Sequence, residues 1–223
     1  IDRRVALKLL PLAGALDERQ INRFKNEARA AGALQHPNIV PIYSVGEADG
    51  IHFYAMQLID GASVELGIHL QAHSEKASDE SSWDNQQWRQ IVRWGIDVAL
   101  ALQAAHETGV VHRDIKPSNL LIDREQKIWI TDFGLARFQS DTSLTHSGDV
   151  IGTMRYMSPE QATGKTAWVD GRSDIHSLAV TLYEMLSLQH AYSGEDGPSV
   201  LQAIASDHVI PLRQHCPTIP RDL

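Results

Sequence analysis

Residues 110 to 119 read VVHRDIKPSN, a short apolar run that breaks into His112, Arg113, Asp114, Lys116 and Asn119. A carboxylate beside a hydroxyl can take its proton, and fixed cations or dipoles can stabilise negative charge as it develops. This segment carries the groups for both tasks. The same groups could also form a charged surface loop, because an Asp or Asn in a loop often closes a local side-chain to backbone turn. Other chemistry-bearing residues stand apart from it: Lys8 in VALK, Glu27 in FKNEARA, Asp132 in DFG and Glu160 in SPE. Each has an ordinary structural reading as well. Lys8 in a strand can snorkel to the surface, Glu27 can pair with Arg23 one helical turn earlier, and DFG is a turn-forming tripeptide.

Elements must position these groups. RRVALKLL is short, branched and apolar, which predicts a strand ended by Pro11. Asp17 and Gln20 make a capping box, followed by Ile21, Phe24, Ala28, Ala31 and Leu34 at helical spacing. IVPIYSVGE and IHFYAMQLI flank Ala48, Asp49 and Gly50, a hairpin signature. Gln71 to Asn85 is polar and without period, which predicts a surface loop. A long helix is predicted from Gln86 to Thr108, with Ile91, Trp94, Val98, Leu102 and Ala105 on one face and Gly109 as its stop. Short strands are predicted at VVH, LLID and KIWIT, and helices at SDIHSLAVTLYEMLS and PSVLQAIAS. A strand-rich start followed by a helical remainder gives an α+β class.

Composition narrows the function classes. The 223 residues are long enough to bury a real core, and 43% hydrophobic with 22% charged residues is ordinary for a globular chain. A net charge of −8 and no basic stripe point away from nucleic acid. The single cysteine, Cys216, excludes an intrachain disulfide framework and suits a reducing compartment. No run of 18 apolar residues is present, so no membrane segment is expected within the chain. Arg3, Arg4 and VALKLLPLAGAL imitate a secretory signal, but Lys8 interrupts the apolar stretch; Ile1 is instead expected to be a cut point inside a longer protein.

The order of the motifs decides between the alternatives. VALK on the first strand, Glu27 on the next helix, HRDIKPSN after the long helix, DFG and SPE occur in one sequence, and the series resembles the eukaryotic-type protein kinase family over essentially the whole chain. HRDIKPSN and Thr153 in GTMRYMSPE look like the serine/threonine form, and the wording of FKNEARAAGALQHPNIVPIYSVGE looks like the bacterial branch. The resemblance implies a two-lobed protein-kinase-like fold truncated at both ends. Residues 1–59 would form a partial small lobe and 60–223 a large helical lobe lacking its last helices.

By that resemblance, Lys8 holds the α- and β-phosphates of ATP and Glu27 pairs with it. Asp132 and Asn119 bind Mg2+, Asp114 orients the substrate hydroxyl and accepts its proton, and Lys116 neutralises the moving phosphoryl group. Ala6 and Leu121 enclose adenine, Met56 backs the pocket, and the backbone of Gln57 and Ile59 forms the hinge. Arg113 implies regulation by phosphate on the activation segment, with Thr142, Ser143, Thr145 and Ser147 as acceptors. Thr153 is expected to contact the catalytic Asp and Lys. Asp174 is expected to brace the catalytic loop.

The departures also carry expectations. The Gly-rich phosphate-covering loop is absent, so the chain itself is expected to be weak or inactive. Glu160 lacks the arginine that normally pairs with it, His176 stands where Tyr is usual, and Ala179 where Gly is usual. Ala31 stands where a larger apolar residue usually stacks toward Phe133, which predicts dependence on activation or partners. The expected function is a protein serine/threonine kinase using ATP and Mg2+, acting on protein substrates with Ser/Thr acceptors, with a kinase dimer for trans-autophosphorylation. The expected location is cytoplasmic, either alone or as the cytoplasmic part of a membrane-anchored protein. The alternative is a pseudokinase, a nucleotide-sensing or partner-docking module; intact Lys8, Glu27, Asp114, Asn119 and Asp132 discriminate against it.

Overall fold

A three-stranded antiparallel sheet with one helix on its face forms the N-terminal part of the computed structural model, which describes residues 3–10, 18–75, 85–133, 147–206, 208–217 and 219–221. The strands are β1 (Val5–Leu9), β2 (Ile42–Ala48) and β3 (Ile51–Gln57), in the order β1-β3-β2. The helix is α1 (Glu18–Gly32). Asp49 and Gly50 join β2 to β3 with φ of 51° and 76°, the pair of left-handed residues that a tight two-residue hairpin requires. In the β1–β3 register Lys8 stands opposite Tyr54 and Ala6 opposite Met56. Helix α1 buries Phe24 and Ala28 in a cluster with Leu10 and Tyr54, as its apolar spacing predicts. The Asp17 half of the predicted capping box lies outside the described residues.

A second sheet, ordered β4-β5-β6, is built from β4 (Gly61–Ser63), β5 (Leu120–Asp123) and β6 (Ile128–Ile130). The segment after α1 is tied to it. Val40 N–H donates to the Ile130 carbonyl at 2.9 Å, Ile130 N–H donates to the Asn38 carbonyl at 2.7 Å, and the Asn38 amide donates to the Ile128 carbonyl at 2.8 Å. These three bonds give the buried Asn38 side chain and the flanking backbone groups their partners across the crossing.

The remaining helices are α2 (Val64–Glu75), α3 (Asn85–Glu107), α4 (Ser147–Met154), α5 (Pro159–Ala162), α6 (Gly171–Ser187), α7 (Gly197–Ala205) and α8 (Leu212–His215), with single 3-10 turns at Pro117–Asn119 and Thr166–Trp168. Helix α3 presents Ile91, Val98, Leu102 and Ala105 to the main core, the face predicted for it, and packs along α6. It ends at Gly109, whose N–H reaches the His106 carbonyl at 2.9 Å. Asp170 and Asp196 cap α6 and α7 by accepting the amides of Arg172 and Ser199. A separate cluster of Val180, Tyr192, Val200 and Ile204 joins α6 to α7. Both sheets are antiparallel and the chain after β6 is helical, so the class is α+β.

Two local expectations are corrected. Gln71 to Glu75, read as loop, continue α2, because Val64 and Ile68 anchor that helix on the main core and tertiary packing outweighs the polar composition of its last turn. Val110 to His112, read as a strand, form none. The His112 N–H is taken by a side-chain carboxylate instead of a ladder partner.

Candidate active site

The segment around Asp114 is held from below by Asp174, near the start of α6. Asp174 is fully buried; Oδ1 accepts the Arg113 N–H at 2.6 Å and Oδ2 accepts the His112 N–H at 2.8 Å. Oδ2 also lies 2.7 Å from His106 Nε2 on α3. A buried carboxylate needs such donors, and here they are the backbone of the loop itself. The bracing predicted for Asp174 is thus the contact observed. It offsets a backbone cost, because Arg113 sits at φ 69°, in the left-handed region. The Gln161 side chain adds a bond from Nε2 to the Arg113 carbonyl at 2.8 Å.

His112 points the other way, toward DFG. Its Nδ1 accepts the Asp114 N–H at 3.2 Å, so Nε2 carries the proton and donates to the Thr131 carbonyl at 2.9 Å. Its ring meets Phe133 edge-on at 4.6 Å. The Thr131 N–H in turn donates to the Asn119 carbonyl at 3.0 Å. These bonds lock the Asp114 segment and the Thr131–Phe133 stretch to each other.

On the open side four predicted residues converge. Lys116 Nζ is 2.9 Å from Asp114 Oδ2 and donates to Thr153 Oγ1 at 3.1 Å. Asn119 Nδ2 donates to the Asp114 carbonyl at 2.7 Å and to its Oδ2 at 3.0 Å. Asp114 and Lys116 keep 10% and 13% of their side-chain surface, enough to meet a substrate while staying fixed. The arrangement can accept a proton at Asp114 and place positive charge beside it.

Asp132, at φ 65°, brings the second carboxylate. Its Oδ2 pairs with Lys8 Nζ at 2.8 Å and its Oδ1 accepts the Tyr54 hydroxyl at 2.6 Å. Burial, and then the neighbouring Asp132 charge, push the Tyr54 hydroxyl far above its usual ionisation range, so it stays a donor. The predicted partner of Lys8 was Glu27. Glu27 lies half-buried on α1, and among the described residues the ion pair that Lys8 makes is with Asp132. The Asp132 carboxylate, only 10% exposed, takes the ammonium as its counter-charge.

Met56 accepts a weak bond from Thr131 Oγ1 at 3.6 Å and lines a small pocket with Ala31, Tyr54, Asp132 and Phe133. Ala6 on β1, Gln57 at the end of β3, Ile59 after it and Leu121 on β5 are half-buried around the two sheets. The Gln57 N–H is taken by the Pro41 carbonyl at 3.0 Å. A wider cleft between α1 and β2, lined by Lys25, Arg29, Ile42 and Glu47, contains none of the predicted site residues. Thr142, Ser143 and Thr145 lie outside the described residues, as does the side chain of Ser147, the first residue of α4.

Glu160 was expected to lack its arginine. The Ser173 hydroxyl donates to its Oε1 instead. Burial raises its pKa, but hydrogen bonds from Ser173, its own backbone and Ser158 outweigh this and hold it below the usual carboxylate range.

Tyr54, His106 and Gln161 are site residues that sequence reasoning missed. Each partner lies far along the chain, and a Tyr in a strand, a His at a helix end or a Gln in a short helix gives no local signal of it. The donor set also bears on metal chemistry. Among the described residues no three His, Cys, Asp or Glu side chains gather as a cage. With Asn119 Nδ2 committed to Asp114, its oxygen remains for a hard cation, and the Asp132 oxygens keep lone-pair capacity beyond the bonds they accept. An amide oxygen and a carboxylate are hard donors of the kind that fits Mg2+, which is commonly held by one or two protein ligands together with substrate phosphates and water.

Comparison with known proteins agrees with this geometry. The chain matches the family described as protein kinase domain over residues 1–221. It is 36% identical to the serine/threonine-protein kinase PrkC of Bacillus subtilis, with 100% of this chain and 32% of that protein covered. It is 35% identical to the serine/threonine-protein kinase PknB of Mycolicibacterium smegmatis, with 99% and 34% covered. The chain spans about a third of the length of these curated relatives. The crystal structure of the Mycobacterium tuberculosis PknI kinase domain superimposes with a TM-score of 0.68 at 27% identity, covering 97% of this chain and 73% of that one. The two-lobed kinase fold expected from the motifs is therefore the fold of the chain.

Proposed function

Because the chain belongs to the protein kinase domain family, we propose that it transfers the γ-phosphoryl group of ATP to serine and threonine hydroxyls of proteins. The observation that carries this reading is the convergence of Asp114, Lys116, Asn119 and Thr153 within hydrogen-bond reach. Asp114 takes the hydroxyl proton as the new O–P bond forms and the bond to the leaving ADP breaks. Lys116 stands where negative charge moves, with Thr153 fixing its ammonium. Lys8 holds the α- and β-phosphates, and Glu27 takes the ammonium when Asp132 releases it. Asp132 and Asn119 hold Mg2+, whose contribution when bound is to neutralise and align phosphate oxygens. Ala6, Met56, Gln57, Ile59 and Leu121 receive adenine, between a small lobe of residues 1–59 and a large lobe of 60–223.

Regulation follows the same reading. Phosphate on Thr142, Ser143, Thr145 or Ser147, added in trans within a kinase dimer, pairs with Arg113 and orders the activation segment. No Gly-rich phosphate-covering motif stands in the 223 residues, so slow turnover is expected of the chain alone. No helix among the described residues is long and apolar enough to cross a membrane. We place the kinase in the cytoplasm, on its own or as the cytoplasmic part of an anchored protein.

The engagement of Lys8 with Asp132 is the one observation that favours the second reading, a pseudokinase that senses nucleotide or docks partners. Incubating the complete product of the gene with radiolabelled ATP, Mg2+ and a basic protein separates the two. Phosphoserine and phosphothreonine in the acceptor support the kinase. Nucleotide binding without any transfer, with or without prior activation, rejects it.

A further inference from the structure

The Tyr54 hydroxyl is a polar group at the Asp132 carboxylate to which the phosphotransfer scheme gives no task. Lys8 and Tyr54 are cross-strand partners in the β1–β3 register, so both side chains leave the same face of the sheet. They divide the Asp132 carboxylate between them, Lys8 at Oδ2 and Tyr54 at Oδ1. Their freedom differs. The Lys8 side chain is 38% exposed on a flexible stem, whereas Tyr54 is 1% exposed, clustered with Leu10, Phe24 and Ala28, its ring 5.9 Å from that of Phe24. The ammonium can leave for a phosphate; the phenol cannot follow.

The Asp132 backbone is fixed from the preceding residue, because Thr131 is bonded through its N–H to Asn119 and through its hydroxyl to Met56. What remains is rotation of the carboxylate, which Lys8 restrains at Oδ2 only while its ammonium stays and which the Tyr54 hydroxyl restrains at Oδ1 after it leaves. A carboxylate oxygen has two lone pairs, so a donor at Oδ1 orients the group while leaving capacity for a cation. A phenylalanine would fill the same space, so packing alone does not account for the hydroxyl.

We propose that Tyr54 is a positioning residue for the metal-binding carboxylate: its hydroxyl fixes Oδ1 of Asp132 and thereby sets the affinity for the divalent cation that accompanies ATP. The inference rests on the reading of Asp132 as a metal ligand. The probe is Mn2+, titrated by electron paramagnetic resonance into the full chain with a saturating non-hydrolysable ATP analogue. Tyr54→Phe is compared with the unaltered chain, Asp132→Asn and Tyr156→Phe. Tyr156 also donates a buried hydroxyl to a carboxylate, that of Glu184 at 2.5 Å, away from the metal donors.

Removing a group that orients a ligand typically weakens metal binding by about tenfold or more, and that loss is expected for Tyr54→Phe. Asp132→Asn should abolish this site, and Tyr156→Phe should lose thermal stability with unchanged Mn2+ affinity. Equal or tighter Mn2+ binding in Tyr54→Phe, with Asp132→Asn impaired, overturns the role of Tyr54 and leaves that of Asp132 standing. A similar loss in Tyr156→Phe reduces the effect to general loosening and also overturns it. Unimpaired binding in Asp132→Asn overturns both.

Discussion

Asp174 Oδ1 accepts the backbone N–H of Arg113 at 2.6 Å, which ties the residue preceding Asp114 to the buried start of α6. With the companion bond to the His112 N–H, one carboxylate supports the segment that leads into Asp114. Asp174→Ala would strand both amides and the His106 contact in a dry environment. Unfolding in urea should show a loss of about 2–5 kcal/mol, and catalytic rate should fall with it. Wild-type stability in that variant would mean that the loop holds its shape unaided.

Gly171 lets α6 approach α3. A Cβ placed there would stand 2.6 Å from His106 Nδ1, so Gly171→Ala must push the ring off Asp174. The expected loss is about 1–3 kcal/mol, the usual range for overpacking, read as a lowered melting temperature. His106→Ala in the same background should recover part of it, because the obstacle is then gone.

Stability should depend on acid in a defined direction. Burial raises the pKa of Asp123, but donors from Trp129 Nε1 at 2.8 Å and from the amides of Lys127 and Glu125 outweigh it and hold the carboxyl below its usual range. The caps Asp170 and Asp196 are lowered by hydrogen bonds from Arg172 and Ser199, and Glu160 is lowered as described. A carboxyl lowered in the folded state contributes stability above its unfolded pKa and loses it as pH falls through the folded one. The contribution of these carboxyls to the melting temperature should therefore be fully present down to about pH 5 and be lost below about pH 4. Asp123→Asn should be less stable at neutrality and less sensitive to acid; an unchanged acid slope would contradict the assignment.

Lys116 and Thr153 should separate binding from rate. Lys116→Ala is expected to lower kcat about 100-fold with little change in KM for ATP, because the ammonium acts on charge present only during transfer. Thr153→Val, which leaves the ammonium but removes its 3.1 Å anchor, should cause a smaller fall in kcat. A KM effect of equal size would place Lys116 in ground-state binding.

Much of the fold was legible because it rests on local patterns: the apolar spacing of α1 and α3, the Asp49–Gly50 hairpin, and the Gly109 stop. The convergence of Asp114, Lys116, Asn119 and Thr153 was legible only as a motif resemblance, since Thr153 lies 37 positions from its Lys116 partner. The Lys8–Asp132 bond was not legible. Two carboxylates can compete for one ammonium, and their relative reach is set by how β1, α1 and DFG pack. Tyr54 was hidden for a related reason, because its ring satisfies the strand pattern and its hydroxyl partner is 78 positions away. The last turn of α2 was misread because its polar residues follow a helix anchored by Val64.

The most direct test of the account is the rate of phosphoryl transfer from ATP to serine and threonine by the complete gene product and by its Asp114→Asn variant, under the same activating conditions. Asn keeps the shape of Asp114 and its place beside Lys116 but cannot accept the hydroxyl proton. The account predicts Mg2+-dependent transfer that falls by about 100- to 10,000-fold in the variant, with ATP affinity retained. Transfer that persists undiminished in Asp114→Asn would contradict it.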